Sequence, residues 1–216
     1  MPSRQRVFDS SIGTKLLVGA TGFLLFLYLI LHLAGNAIVF LGADTFNGYS
    51  HFLLTNPLIY PIEIALVLVF LVHVYKAVAM TVANRKARPV GYALKKYAGA
   101  PSRKTLASST MIFSGLWLLL FIIIHVRSFK FGAEYEAADG VRDLYRLEME
   151  NFSNPLTVAF YVVSMLVVGL HLWHGGASSF QSLGIDSPKW TPRILAAGKI
   201  AAVIIAGGFV AIQVLQ

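Results

Sequence analysis

The chain has 216 residues, a mean hydropathy of +0.68, only 13% charged residues and a formal charge of +8. A soluble domain carries about a quarter charged residues, so long apolar runs at this composition exclude an ordinary soluble globular protein and mark a polytopic membrane protein. Cysteine is absent, which excludes a thiolate-held iron–sulfur cluster in this chain and any cofactor attached through C-x-x-C-H.

Five spans are predicted, at about 14–41, 58–83, 106–130, 154–181 and 193–215. Each holds about 20 residues or more, enough for a hydrocarbon core roughly 30 Å thick. Together they form an all-α bundle in a single domain covering 1–216, and the spans and short loops leave no room for a soluble catalytic domain. Arg4, Arg6 and Lys15 precede the first apolar run, 16–41. That run is too long for a signal-peptide core of roughly 7–15 residues, so it reads as an uncleaved first span. Asn56-Pro57, Asn154-Pro155 and Thr191-Pro192 mark the starts of the second, fourth and fifth helices. No internal repeat stands out.

The loops set an orientation. The 84–104 loop holds Arg85, Lys86, Arg88, Lys95, Lys96, Arg103 and Lys104 with no acidic residue. The loop after the third span is acidic, with Glu134, Glu136, Asp139, Asp143, Glu148 and Glu150, and the 42–57 loop has Asp44 as its only charge. The positive-inside rule then puts the N-terminus, the 84–104 loop and the 182–192 loop in the cytoplasm and the C-terminus outside. The same distribution explains the basic charge without nucleic acid.

Four histidines, His32, His73, His125 and His171, fall one in each of the first four spans. An ionisable ring in hydrocarbon is costly and marks a functional site by default. On outward-going helices His32 and His125 lie roughly 27 Å and 28 Å from the inner face, while on inward-going helices His73 and His171 lie within roughly 10 Å of it. Depth therefore pairs helix one with three and helix two with four, about 20 Å apart. Two ligands at each of two levels is the number needed for two six-coordinate haems. Interhelical hydrogen bonding, a bare zinc or copper site and a proton relay are the rival readings. Small residues near the ligands, Gly175 and Gly176 after His171, Ala34 and Gly35 after His32, and Ala77 after His73, would give a flat macrocycle room; His125, beside Phe121 and Ser128, has none.

Other polar residues have two readings each. His174 is an alternative ligand or propionate partner, or a polar residue near the interface. Lys76, Arg127 and Lys130 are candidate propionate contacts or helix anchors. Glu63 is a candidate proton carrier for a quinone, or a rim carboxylate paired with Arg127 or Lys130. His51, in the first outer loop, is solvated or serves a quinone. Tyr49 and Tyr60 read as aromatic-belt anchors, and Trp117 and Trp173 as packing residues.

With His32-Leu33-Ala34-Gly35-Asn36, His73, His125 and the stretch from His171-Leu172-Trp173-His174-Gly175-Gly176 to Gly184, the chain resembles the single-polypeptide di-haem cytochrome b anchor of succinate dehydrogenases and quinol:fumarate reductases. The resemblance covers nearly the whole chain. It implies two b haems, the outer held by His32 and His125 and the inner by His73 and His171. A glycine four residues after the fourth ligand favours His171 over His174. It also implies partner subunits: a cytoplasmic flavoprotein with FAD and an iron–sulfur protein carry out the succinate–fumarate chemistry. A membrane quinone, often menaquinone in this class, exchanges the electrons, and the setting is a prokaryotic inner membrane with its lipid. Some fumarate reductases of the class have a glutamate two residues before the fourth ligand; Gly169 stands there in this chain, so that proton path is not implied. The alternatives are a di-haem b subunit of another quinone-linked oxidoreductase and a histidine-based proton-coupled transporter.

Overall fold

The computed structural model describes residues 10–87, 106–137, 140–185 and 187–215. The expectations placed on Met1–Asp9 (Arg4 and Arg6 included), on Arg88, Lys95, Lys96, Arg103 and Lys104, and on Asp139 lie outside the described residues. Among the described residues, eight α-helices run in the order α1 Ser11–Asn36, α2 Ala43–Thr55, α3 Ile59–Ala87, α4 Leu106–Ser109, α5 Met111–Phe129, α6 Leu144–Phe152, α7 Pro155–Ser182 and α8 Thr191–Val214. A 3-10 turn, Ala37–Leu41, extends α1. The protein is all-α and multi-pass: Ser11–Leu41, Ile59–Ala87, Met111–Phe129, Pro155–Ser182 and Thr191–Val214 are each long and apolar enough to cross a membrane.

Short polar side chains set the helix starts, as the first-turn N–H groups require. Ser10 accepts from the Gly13 N–H, Asp143 from Arg146 N–H and Asn154 from Leu156 N–H. Pro155 and Pro192 occupy the first turns of α7 and α8, where a missing N–H costs nothing. The third span differs from expectation. Its long helix begins at Met111, because the chain breaks at Thr110 (φ −107°, ψ 8°) after the short α4.

The 42–57 and 130–154 stretches are also more ordered than loops. Gly42, at φ 93°, turns the chain into α2, a conformation that glycine reaches without a Cβ penalty. Across from it stands α6. Asn47 is 6% exposed; its amide donates to Asp143 Oδ1 (2.8 Å) and its carbonyl accepts from Tyr145 N–H (2.9 Å). One buried asparagine thus ties α2 to the start of α6, with Phe46 against Tyr145 beside it. His51 lies exposed on α2. Tyr49 packs its ring over Gly35 of α1, which fixes α2 against the bundle.

The core sits between α7 and α8. Tyr161, Met165, Val168 and Leu172 form one stripe, and Ala202, Ile205, Phe209 and Ile212 the facing one, each at the three- and four-residue steps of a helix face. The two helices approach through small residues, as membrane helices do without a hydrophobic drive between them. A Cβ at Gly169 would lie 3.1 Å from the Ala206 methyl, and Gly176 meets Gly198. Helix α7 also contacts α1 and α5, while α3 packs chiefly on α1 and has no fully buried residue.

Candidate paired-histidine sites

At the end of the bundle nearer α2 and α6, His32 and His125 come together with ring centroids 5.9 Å apart and planes at 86°. Aromatic rings wall them in: Tyr28 stacks on His32 at 5.3 Å, Phe121 on His125 at 5.6 Å, and Phe209 of α8 lies 5.7 Å from His32. The Nδ1 atoms face neighbours. The Asn36 amide donates to the His32 carbonyl (2.8 Å) and lies 3.3 Å from His32 Nδ1, and the Tyr161 hydroxyl lies 3.4 Å from His125 Nδ1.

Toward the other end, His73 Nδ1 is 3.1 Å from the Thr21 hydroxyl of α1, and His171 Nδ1 is 2.9 Å from the Ser114 hydroxyl of α5. Thr21 and Ser114 stand at matching heights on α1 and α5, which puts His73 and His171 at one level. The glycine after each hydroxyl touches the same ring: a Cβ at Gly22 would fall 3.1 Å from His73 Cε1, and one at Gly115 would fall 3.7 Å from His171 Cε1. Among the described residues, no hydrogen bond from protein reaches Nε2 of these four histidines.

Thr21-Gly22 and Ser114-Gly115 form a short internal repeat that hydropathy alone hides. His32 follows Thr21 by eleven residues, and His125 follows Ser114 by eleven. Eleven residues are about three turns and roughly 16 Å of rise, so each motif stands on the same face as the histidine above it. α1 and α5 each carry one ring of the His32–His125 level and the partner of a ring at the other level, while α3 and α7 supply His73 and His171.

Of the small residues read as cofactor room, the three glycines meet protein atoms. Tyr49 covers Gly35, Gly176 meets α8, and Gly175 touches the Met111 side chain. Gly22 and Gly115 are the glycines beside the rings. Gly169 packs on Ala206. His174 is set apart, its Nε2 within 3.1 Å of the Ser178 hydroxyl on the same helix. The Glu63 carboxylate pairs with Lys130, the second of its two readings. Arg127 donates to the Phe131 carbonyl and lines a cavity of about 390 Å³ with Ser128, Gly132, Tyr135, Glu150 and Asn151. Lys76 is half-buried, with its ammonium 5.8 Å from the Tyr75 ring centroid. Trp117 is exposed, but its indole N–H donates to Ser164, which is fully buried. Trp173 holds a cation–π contact with Lys199.

No protein-family model, curated protein or solved structure matches this chain.

Two rings at each of two levels can each offer one nitrogen to a metal. Among the described residues, no group of three or more His, Cys, Asp or Glu side chains gathers elsewhere. The donor set fits a haem, which brings four in-plane nitrogens and needs two axial imidazoles. Gly22 and Gly115, with no side chain, let the His73 and His171 rings seat close against α1 and α5.

Proposed function

We propose that this chain is a di-haem cytochrome b, the membrane anchor of a succinate dehydrogenase or fumarate reductase, passing electrons between an iron–sulfur partner and a membrane quinone. The observation that carries the reading is the pairing of four intramembrane histidines at two levels, His32 with His125 and His73 with His171, about three turns apart. Each ring engages a neighbour through Nδ1, which leaves Nε2 to the cofactor. The haems would supply one-electron chemistry. The chain's own histidines would hold the haems, while Tyr28, Phe121 and Phe209 exclude water and the helices fix the spacing between levels.

The orientation belongs to the same proposal. The His73–His171 level faces the cytoplasm, where a flavoprotein with FAD and an iron–sulfur subunit dock. The His32–His125 level lies toward the outside of a prokaryotic inner membrane. Succinate–fumarate chemistry resides on the partners, and menaquinone is the expected electron carrier. Glu63, paired with Lys130, and Arg127 stand at the outer end, where a quinone would exchange protons with the medium.

A reduced-minus-oxidised spectrum of the purified protein should show b-type bands, with two haems per chain by pyridine haemochrome. Co-purification should yield a flavoprotein and an iron–sulfur protein active on succinate. A colourless folded preparation would refute the haem reading. Two haems with formate or hydrogen oxidation in the co-purified complex would keep the cytochrome and change the partner.

A further inference from the structure

The two levels give their Nδ1 atoms different partners. A hydroxyl has one proton to give. Thr21 donates its proton to the Leu17 carbonyl at 2.6 Å, and Ser114 donates to the Met111 carbonyl at 3.0 Å. With their protons committed to backbone, both hydroxyls meet the imidazoles as acceptors. His73 and His171 must therefore be the donors, protonated at Nδ1, with the Nε2 lone pair turned outward. The Val18 carbonyl is a second backbone acceptor beside the His73 ring. At the other level the Nδ1 contacts are longer, 3.3 Å from the Asn36 amide to His32 and 3.4 Å from the Tyr161 hydroxyl to His125.

Resting on the haem reading above, we propose that Ser114 and Thr21 are positioning residues. They fix the His73–His171 rings as Nδ1-protonated imidazoles that present Nε2, and by accepting those protons they lower the potential of that level alone. The physical cause is general: a ligating histidine whose other N–H is accepted by a partner keeps one tautomer and becomes a stronger donor to the metal. A stronger donor favours the ferric state, so second-shell hydrogen bonding is a lever on potential. Ser114 is the cleaner case, since the Ser114 hydroxyl is the hydrogen-bond partner found for His171 among the described residues.

The test uses the purified holoprotein and its two haem potentials, read by spectropotentiometric titration, with Ser114→Ala, Ser114→Thr and Thr21→Val. Ser114→Ala is expected to keep both haems, shift one potential upward and leave the other in place. Ser114→Thr restores an acceptor and should return the potential toward its original value. Thr21→Val, on a different helix, should raise the same haem, by less, because Val18 still offers a carbonyl. Loss of that one haem in Ser114→Ala with recovery in Ser114→Thr also supports the proposal. Unmoved potentials, shifts in two different haems, or no recovery in Ser114→Thr would overturn it while leaving the di-haem reading intact. A wild-type protein without haem would overturn both.

Discussion

Gly19 tests whether the close approach of α1 and α7 is real. An added Cβ there would lie 2.7 Å from Ser182 Cβ and 3.2 Å from the Ser179 carbonyl oxygen. Carbon atoms rest at about 3.5–4.0 Å, so the helices must part by roughly 1 Å. The atoms struck are a Cβ and a backbone oxygen, which no rotamer change moves aside. Overpacking of this kind costs about 1–3 kcal/mol, and the better helix propensity of alanine returns about 1. Gly19→Ala should therefore destabilise by about 1 kcal/mol net. Gly207, on an exposed face of α8, has nothing within 4 Å of an added Cβ. The identical change there should stabilise by up to about 1 kcal/mol. Denaturant titration in detergent, followed by circular dichroism, reads both. The reasoning fails if the two variants shift stability in the same direction, or if Gly19→Ala equals the parent protein.

Three further expectations concern the two ends and the levels between them. Alanine at His32 or His125 should remove one haem and alanine at His73 or His171 the other, counted by pyridine haemochrome; four variants that each keep both would break the pairing. Asn47→Ala strands the Tyr145 N–H and should cost about 1–3 kcal/mol, seen as faster hydrogen exchange across Leu144–Phe152 with the His73–His171 level undisturbed. The Glu150 carboxyl is held below its ordinary value of 4.5, first by the Tyr135 hydroxyl and then by Arg146. Because the folded value is depressed, the contact is fully formed above pH 4.5 and is lost as pH falls through the lower folded value; Tyr135 fluorescence should stay constant down to that pH and change only below it.

Much of the architecture follows from the order of residues. Five apolar runs long enough to cross a bilayer must become helices, because hydrocarbon offers no other partner to backbone N–H and C=O groups. Asn154-Pro155 and Thr191-Pro192 mark their helix starts within a residue or two. Residues at the water boundary were less legible. The 42–57 stretch holds α2 because Asn47 finds Asp143 and Tyr145 across the fold, partners nearly a hundred residues away. The break at Thr110 follows Ser108-Ser109 within the predicted third span, and serine and threonine suit a helix or a turn alike.

At the candidate sites, the order of residues determined which helices carry the rings and that the rings fall at two levels, since rise per residue converts position into height along a helix. The tertiary structure decided what each ring touches. Gly35, Gly175 and Gly176 lie within five residues of a paired histidine in sequence, yet Tyr49, Met111 and Gly198 meet them. Thr21-Gly22 and Ser114-Gly115, distant in sequence from the rings they meet, stand beside them. A helix fixes its own residues along its axis, but its rotation about that axis is set by the neighbours it packs against. Which small residue faces a ring is therefore decided between helices and not along the chain.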